Sequence, residues 1–535
     1  MKEKIRRLLG KKAEASKILL SLIFISLVII PLFRMFLNID KDSIQKVFAS
    51  ANFGKVICNS LLATGIATVI TVVVAYLLAL CISRTDIRFK KFFRIVFVLP
   101  MLIPSISIGM GLIILFGNNG LVTNVFHMGS GIYGLGGVIV GSVLYAFPVA
   151  FLMLDDVMKY EDMNPYEAAQ VLGISKLRQF KEITLPYLRK PLISVVFSTF
   201  TLIISDYGVP LMVGGKYTTV PVVMYQEVIG QLNFGKGAVY GSLLLIPAII
   251  AFVIDLLNKD KGNSAYVVKQ FVPKKNRIRN LLSYVYCGVL TVFTALPLLA
   301  FVVLAFAKDY PKDYSFTFKN VLKTLKLRAD EYLINSVVIA LVVAVIGCTV
   351  AFMTAYMSAR MKSKASKFLH LSAITSAAIP GVVLGLAYVL TFSKTPLYGT
   401  VVILIMVNLV HFIASPYLMM YNSLSKINEN LEDVGHIMSI SRGYMIKDVF
   451  IPQCKFTLME MFSYFFVNCM MTISAVSFLA TTANKPVALM INQFEAQMQL
   501  EYAAVVSLAI LLINLLIKGV IGVISNKNKS GVKLG

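Results

Sequence analysis

The sequence predicts an all-α polytopic membrane protein, with about 12 transmembrane helices arranged as two parallel six-helix repeats. Three observations predict it. Of 535 residues, 58% are hydrophobic and 14% charged, at a mean hydropathy of +0.79, more apolar surface than a soluble domain of this length can bury. The apolar residues gather in runs of about 20, the length that crosses a bilayer. The second half then repeats landmarks of the first at a constant spacing of 276 residues.

The balance of 51 Lys and Arg against 26 Asp and Glu gives a net charge of +25. In a soluble chain such a charge would point to nucleic acid. Here the basic residues flank apolar runs, so the positive-inside rule accounts for them; membrane lipids are expected as partners and nucleic acid is not. The histidines (His127, His370, His411, His436) are scattered, and the cysteines (Cys58, Cys81, Cys287, Cys348, Cys454, Cys469) lie in or beside apolar runs without a C-x-x-C pair. Neither a metal site nor a disulfide framework is expected.

Taken in order, the basic segment Met1 to Ser16 precedes an apolar run from Ile18 to Phe36, too long for a signal peptide and followed by no small-residue cleavage site. It is expected to be an uncleaved first span with a cytoplasmic N-terminus. Spans follow at about 56–82, 95–116, 132–154, 191–213 and 236–257. This parity puts the loops carrying Arg84, Arg88, Lys90 and Lys91, and then Lys176, Arg178, Lys181, Arg189 and Lys190, on the cytoplasmic side. Residues 1–257 therefore form a first transmembrane domain (core 55–257), residues 258–280 a basic cytoplasmic linker, and residues 281–535 a second domain (core 331–523). The second domain's spans are expected at about 281–306, 334–358, 368–393, 397–421, 456–480 and 501–523. The basic tail (Lys527, Lys529, Lys533) places the C-terminus inside as well. One loop runs against the charge rule: residues 307–333, expected outside, carry Lys308, Lys312, Lys319, Lys323, Lys326 and Arg328, only partly balanced by Asp309, Asp313, Asp330 and Glu331.

The repeat is visible residue by residue. Asn59-Ser60 to Arg84 and Asn335-Ser336 to Arg360 are both 26 residues long. Val69/Val345, Ile70/Ile346, Val74/Val350, Ala75/Ala351 and Ala79/Ala355 match between them. The same spacing carries Ile103-Pro104 onto Ile379-Pro380 and Gly109 onto Gly385. Pro104 and Pro380 are expected to kink their spans beside the central pathway.

The most informative stretch is the polar interruption at 155–190. It reads Tyr166-Glu167-Ala168-Ala169-Gln170-Val171-Leu172-Gly173, followed by Ile183-Thr184-Leu185-Pro186. Asn164-Pro165 starts a short helix, Glu167 suits the dipole of its first turn, and Gly173 can adopt the left-handed cap that ends it. The pair Ala168 and Ala169 leaves a face low enough for another surface to approach. Glu-Ala-Ala, Gly173 and Pro186 at these spacings resemble the EAA loop of ATP-binding cassette importer permeases. In that family the loop is the coupling helix seated in a groove of a cytoplasmic ATPase. The second domain should then carry an equivalent loop, at 422–455. Counting back from Pro452 as Glu167 stands from Pro186 reaches Asp433. There Asp433 replaces Glu, Val434 and Gly435 replace the alanines, and Ser439 replaces Gly173. This second loop is degenerate, its register is open by about a residue, and two unlike loops would dock two ATPase subunits unequally.

No G-x-x-x-x-G-K-[ST] occurs; Gly214-Gly215-Lys216 is followed by Tyr217 and lacks the upstream glycine. No catalytic set stands out, so the chain is expected to be no enzyme and to hold no cofactor. The resemblance implies that ATP is bound by separate ABC ATPase subunits, in two copies, and that an extracellular or periplasmic solute-binding protein delivers cargo. It further implies a multi-pass protein of the bacterial plasma (inner) membrane, working by alternating access with both coupling helices moved together. Asp206, in Ile204-Ser205-Asp206-Tyr207-Gly208-Val209-Pro210, has two readings: a pathway or gate residue, or a cap at a helix break. Asn468-Cys469-Met470-Met471 reads as packing rather than a soft-metal contact.

The stretch from Ser205 to Gly215, together with Ile473-Ser474-Ala475-Val476-Ser477-Phe478-Leu479, is similar to the fused two-domain permeases of ferric-iron importers. Relatives for aminoalkylphosphonate and thiamine are alternatives, polyamine permeases more distant ones. A competing class, the secondary active transporter of major-facilitator type, shares the twelve-span plan. It would bring a G-x-x-x-D-R-x-G-R pattern after span two, where this chain reads Arg84-Thr85-Asp86-Ile87-Arg88.

Overall fold

Long apolar runs without water nearby must satisfy their own peptide groups, and the chain does so almost entirely with helices. The computed structural model describes residues 2–531 apart from 128, 130, 259–272 and 274, so most of the expected linker at 258–280 and Lys533 of the tail lie outside the described residues. The first half contains α1 (Lys2–Leu37), α2 (Lys41–Phe48), α3 (Phe53–Arg84), α4 (Lys90–Val98), α5 (Ser105–Phe116), α6 (Leu121–Phe126) and α7 (Leu135–Lys159). It continues with α8 (Asn164–Val171), α9 (Lys176–Gln179), α10 (Leu185–Ile204), α11 (Gly208–Val213), α12 (Val220–Tyr225) and α13 (Phe234–Asn258). The second half opens with α14 (Arg277–Phe306), a two-stranded antiparallel hairpin of β1 (Ala307–Asp309) and β2 (Asp313–Phe316), and α15 (Lys319–Lys326). Then come α16 (Ala329–Ala359), α17 (Lys364–Ile374), α18 (Gly381–Phe392), α19 (Val401–Phe412), α20 (Ala414–Ser425), α21 (Leu431–Ile437) and α22 (Arg442–Met445). The last elements are α23 (Ile451–Gln453), α24 (Lys455–Met471), α25 (Ala488–Ala496) and α26 (Leu500–Gly531).

Among the described residues, nine helices are long and apolar enough to cross a membrane, and two bent pairs raise this to 11. The remaining expected span is α24, 17 residues long. Several spans are broken, two at the prolines expected to kink them and two within spans given as continuous. The third ends in a 3-10 turn at Leu99–Leu102 and restarts after Pro104; its counterpart does the same at Thr375–Ala378 and Pro380, where the chain turns by 101°. The expected 191–213 span stops at Ile204, and 456–480 stops at Met471, because the Ser205–Tyr207 and Thr472–Leu479 segments leave the helix to form turns. The polar interruption is also shorter than 155–190: α7 runs on to Lys159.

The repeat holds in the backbone. The 276-residue spacing relates α5 to α18, and the 3-10 turns before them, end to end. From α7 and α19 onward the spacing is 266, because the loop at 117–134 has a shorter counterpart at 393–400.

The two lead helices are exchanged. α1 packs on α17 and α18 of the second half, and α14 on α4 and α5 of the first. The Tyr388 hydroxyl donates to the Leu27 carbonyl at 3.0 Å, and the Tyr286 hydroxyl to that of Val74 at 3.0 Å. At its polar end each lead helix grips the loop after the other half's first core helix. Buried Lys17 donates to Glu14 (2.6 Å), the Met361 carbonyl (2.7 Å) and Ser363 (3.0 Å). Asn280 exchanges hydrogen bonds with the Asp86 backbone, and Tyr284 accepts from the Arg88 amide. The last helices cross over too: Asn514 on α26 donates to the Leu102 carbonyl at 2.9 Å, and Ser507 meets Ser107 at 2.9 Å.

The crossing of α5 and α14 depends on Gly111, where an added Cβ would come 2.8 Å from the Pro297 Cβ. Gly65 on α3 has nothing within 4 Å of that position. Gly111→Leu should therefore destabilise the protein by about 1–3 kcal/mol. Gly65→Leu should stay within about 0.5 kcal/mol of the parent. Thermal unfolding of the two detergent-purified variants compares them directly.

Candidate functional site

The two polar loops that the repeat places at one end of the bundle are built alike. In the first, Asp162 accepts from the Asn164 amide at 3.1 Å and starts α8, with Pro165 in the first turn. Ala169 is buried against the loop, while Ala168 is exposed and Glu167 half-buried. Gly173 takes a φ of +66°, and the Ile174 amide reaches back to the Ala169 carbonyl at 2.9 Å, closing the helix in a Schellman-type turn. A π-turn at Phe180–Thr184 then leads into α10, whose first turn holds Pro186.

In the second loop Asn428 accepts from the Asn430 amide at 2.9 Å and α21 follows. Ser439 takes a φ of +58°, and the Ile440 amide reaches the Gly435 carbonyl at 2.8 Å. A π-turn at Ile446–Phe450 leads to Pro452 in α23. Every landmark stands 266 residues after its partner. The backbone therefore puts Asp433 at the place of Glu167, Val434 and Gly435 at Ala168 and Ala169, Ser439 at Gly173, and Pro452 at Pro186. Gly435 is buried where Ala169 is, and a Cβ there would press on the Met445 sulfur at 2.9 Å.

What holds each loop is an arginine at the end of the first core helix, a role the sequence reading missed. Arg84, at the end of α3, pairs with buried Glu161, and its guanidinium lies 5.7 Å from the Tyr166 ring centre. The Tyr166 hydroxyl donates to the other Glu161 oxygen and meets Thr184 at 2.7 Å. Burial pushes the Tyr166 phenol up, so it keeps the proton it donates. Arg360, one residue past α16, grips Glu432 with two nitrogens, and its other bonds go to the carbonyls of Ile427 (2.7 Å) and Asn428 (2.8 Å). The Phe450 ring centre lies 5.3 Å away. Beside it, the hydrogen bond from Lys362 holds the Glu429 carboxyl below its usual range. The available signal was the repeat itself, which keeps an arginine at the same place in both halves.

Both loops present bare apolar tips. Val171 is 88% exposed and Leu172 74%; their counterparts Ile437 and Met438 are 84% and 66% exposed.

A second region lies within the bundle. Asp206 accepts from Ser105 and from the amides of Gly208 (3.2 Å) and Val209 (3.0 Å), so it caps α11 at the break after α10. Next to it, buried Tyr207 stacks on Tyr225 with ring centres 4.7 Å apart and meets Ser477 of the second half at 2.6 Å. Tyr225 accepts from Asn492 at 2.7 Å and lies 6.2 Å from Phe478. This polar-aromatic contact joins the halves. Asp206 and Pro104 meet there through Ser105; the loop residues are elsewhere. The Asn-Ser pairs of the repeat hold the re-entrant segments: Ser60 accepts from the Val220 amide at 2.8 Å, Ser336 from the Val487 amide at 2.7 Å. Among the described residues no group of three or more His, Cys, Asp or Glu could hold a metal ion.

Comparison with known proteins matches the family described as binding-protein-dependent transport system inner membrane component twice, at residues 71–259 and 347–530. A Haemophilus influenzae protein named as a ferric transport system permease is 24% identical over 493 residues, covering 87% of this chain and 78% of that protein. The ferric transport system permease of Actinobacillus pleuropneumoniae is 24% identical over 474 residues, covering 85% and 69%. A sulfate transport permease of Prototheca wickerhamii is 26% identical over 236 residues, covering 42% and 92%.

The Arg360–Glu432 pair is the clearest target. Arg360→Ala should cost about 3 kcal/mol, since it strands a carboxylate and the carbonyls it served. Adding Glu432→Ala should recover part of that loss. Thermal unfolding of the single and double variants measures the coupling; strictly additive losses would mean the pair does not act as a unit.

Proposed function

Because the chain belongs to the family of binding-protein-dependent transport system inner membrane components and carries that domain twice, we propose that it is the membrane-spanning permease subunit of a ferric-iron ATP-binding cassette importer. The observation that carries the reading is the pair of loops around Glu167 and Asp433. They share one backbone, each ends on a left-handed residue, and each exposes an apolar tip at a polar end of the bundle. Two copies of a cytoplasmic ATPase occupy these tips, one per loop, and ATP is bound there rather than by this chain. Glu167, Ala168, Ala169, Gly173 and Pro186 form the first docking element; Asp433, Val434, Gly435, Ser439 and Pro452 form the second.

The loops face the cytoplasm, both termini lie on that side of the bacterial inner membrane, and a solute-binding protein delivers cargo to the opposite face. Closure of the ATPases moves α8 and α21. Through Arg84 and Arg360 the displacement enters α3 and α16, and the halves rock about the Tyr207–Ser477 contact. Pro104, Pro380 and Asp206 sit at the helix breaks lining that central region. Ferric iron is favoured because the two ferric permeases align over 87% and 85% of this chain, whereas the sulfate permease aligns over 42%.

Gentle detergent purification of the tagged protein should bring down a P-loop ATPase in stoichiometric amount, and Glu167→Arg should lose it. If no ATPase co-purifies under several mild conditions, the reading fails and a secondary transporter takes its place. Radioactive ferric-iron uptake by cells tests cargo and symmetry together. Glu167→Ala should reduce it by about tenfold, the loss of ~1.4 kcal/mol of docking energy. Asp433→Ala, at an exposed position, should reduce it less; equal losses would mean that the two loops dock with equal strength.

A further inference from the structure

The segment between α14 and α16 carries cations where the charge rule expects few. α14 starts beside Asp86 and Arg88, at the end of the bundle that holds the coupling loops, so the hairpin and α15 lie at the opposite end. Two of the six cations have partners in the chain: Lys308 with Asp313 at 3.1 Å, and Arg328 with Glu331. Among the described residues, Lys319, Lys323 and Lys326 form no ion pair, and they recur along one side of α15.

The helix is oriented the wrong way round for a water-soluble surface. Its polar residues Asn320 and Thr324 are buried, and Asn320 donates to the Ala307 carbonyl at 2.7 Å. Its apolar residues point out: Leu322 is 60% exposed and Leu325 45%. Phe316 and Phe318, with ring centres 5.0 Å apart, extend the same bare face and are themselves exposed. α15 packs on the spans α14 and α16, which expose apolar residues of their own, among them Val302, Val303, Ile334 and Val338. An apolar stripe beside a lysine stripe, running on from lipid-facing helices, is the arrangement of an interfacial helix.

We propose that α15 lies in the headgroup layer of the membrane face opposite the coupling loops and binds anionic phospholipid there. Lys319, Lys323 and Lys326 hold the headgroup phosphates, while Leu322, Leu325, Phe316 and Phe318 enter the acyl boundary. The first-half counterpart α2 also turns Ile44 and Phe48 outward, but of its two lysines Lys46 is already paired with Asp42, which leaves Lys41 alone against the three of α15. The lipid preference therefore belongs to the second half. It depends on neither the cargo nor the ATPase.

The chain contains no tryptophan, so Leu322→Trp introduces a single fluorescent reporter on an exposed position. The variant, reconstituted in vesicles of phosphatidylcholine with phosphatidylglycerol, is read with one or the other lipid brominated. Brominated lipid should quench it, and the phosphatidylglycerol form should quench more than its mole fraction predicts. Replacing Lys319, Lys323 and Lys326 together by Gln should lower the apparent phosphatidylglycerol preference by at least about tenfold. Quenching by aqueous iodide instead of lipid overturns the interfacial position. Equal quenching by both brominated lipids, or a preference that survives the triple substitution, overturns the headgroup site. Protection of the reporter by an added solute-binding protein, without lipid quenching, assigns the patch to that protein and also overturns the proposal.

Discussion

In the proposed importer, movement has to pass from a polar loop into a bundle whose apolar interior offers no water to repair a broken hydrogen bond. Arg84 and Arg360 meet that constraint. Each stands at the end of a core helix, nearly buried, and is paired with a carboxylate; Arg360 donates to the carbonyls around the second loop as well. A guanidinium in this setting is always charged and fixed in plane, so it transmits displacement without adjusting its protonation. Removing water from such a pair raises the cost of separating it, which makes loop and helix move as one piece. The two halves reach the same result with different residues. The first uses Glu161 outside α8 with Tyr166 as an intermediary, and the second uses Glu432 inside α21.

The exchange of lead helices gives that displacement something to act against. Because α1 packs on the second half, while α14 is wedged between α4 and α5 of the first and α26 of its own, neither half can slide freely past the other. Lys17 and Asn280 pin each exchanged helix at the polar end, close to the arginines, whereas contacts near the middle are apolar or single hydrogen bonds. Hydrogen bonds between the halves thus gather at two levels, this polar end and the region of Tyr207, Ser477, Tyr225 and Asn492.

Much of this was legible in the sequence. Helices and repeat followed from composition, run length and spacing, because lipid forces each span to be apolar and helical over a fixed length. The breaks at Pro104 and Pro380 were legible because proline cannot donate. The break after Ile204 was half legible, since Asp206 before Gly208 and Pro210 reads as a cap or as a pathway residue; the one after Met471 was hidden in a turn nearly as apolar as the span it ends. The register of the second loop was open because Ser439 does not announce a left-handed turn, yet the chain adopts one where Gly173 does. Arg84 and Arg360 were seen only as charges at span ends, where the positive-inside rule predicts a basic residue whatever its partners. The helix exchange left no local mark, because it is decided by contacts between residues hundreds of positions apart.

The centre of the molecule gives one more reason why a repeated frame can carry unrepeated chemistry. A Cβ at Gly208 would come 2.3 Å from the Ser105 hydroxyl, and a Cβ at Gly381 would come 2.4 Å from the Ser474 hydroxyl. Ser105 and Gly381 correspond, as do Gly208 and Ser474, so the same close approach is made with serine and glycine on opposite sides. Steric demand is satisfied equally, but the hydroxyls are handed to different neighbours. In the first half the serine donates to Asp206, which then caps α11; in the second the place of Asp206 is taken by Thr472, which is neutral. Only one half thus carries a carboxylate at the break, and that carboxylate already accepts from three protein donors. Those bonds commit it to the backbone it organises, so the repeated frame carries a capping carboxylate at one break and a neutral threonine at the other.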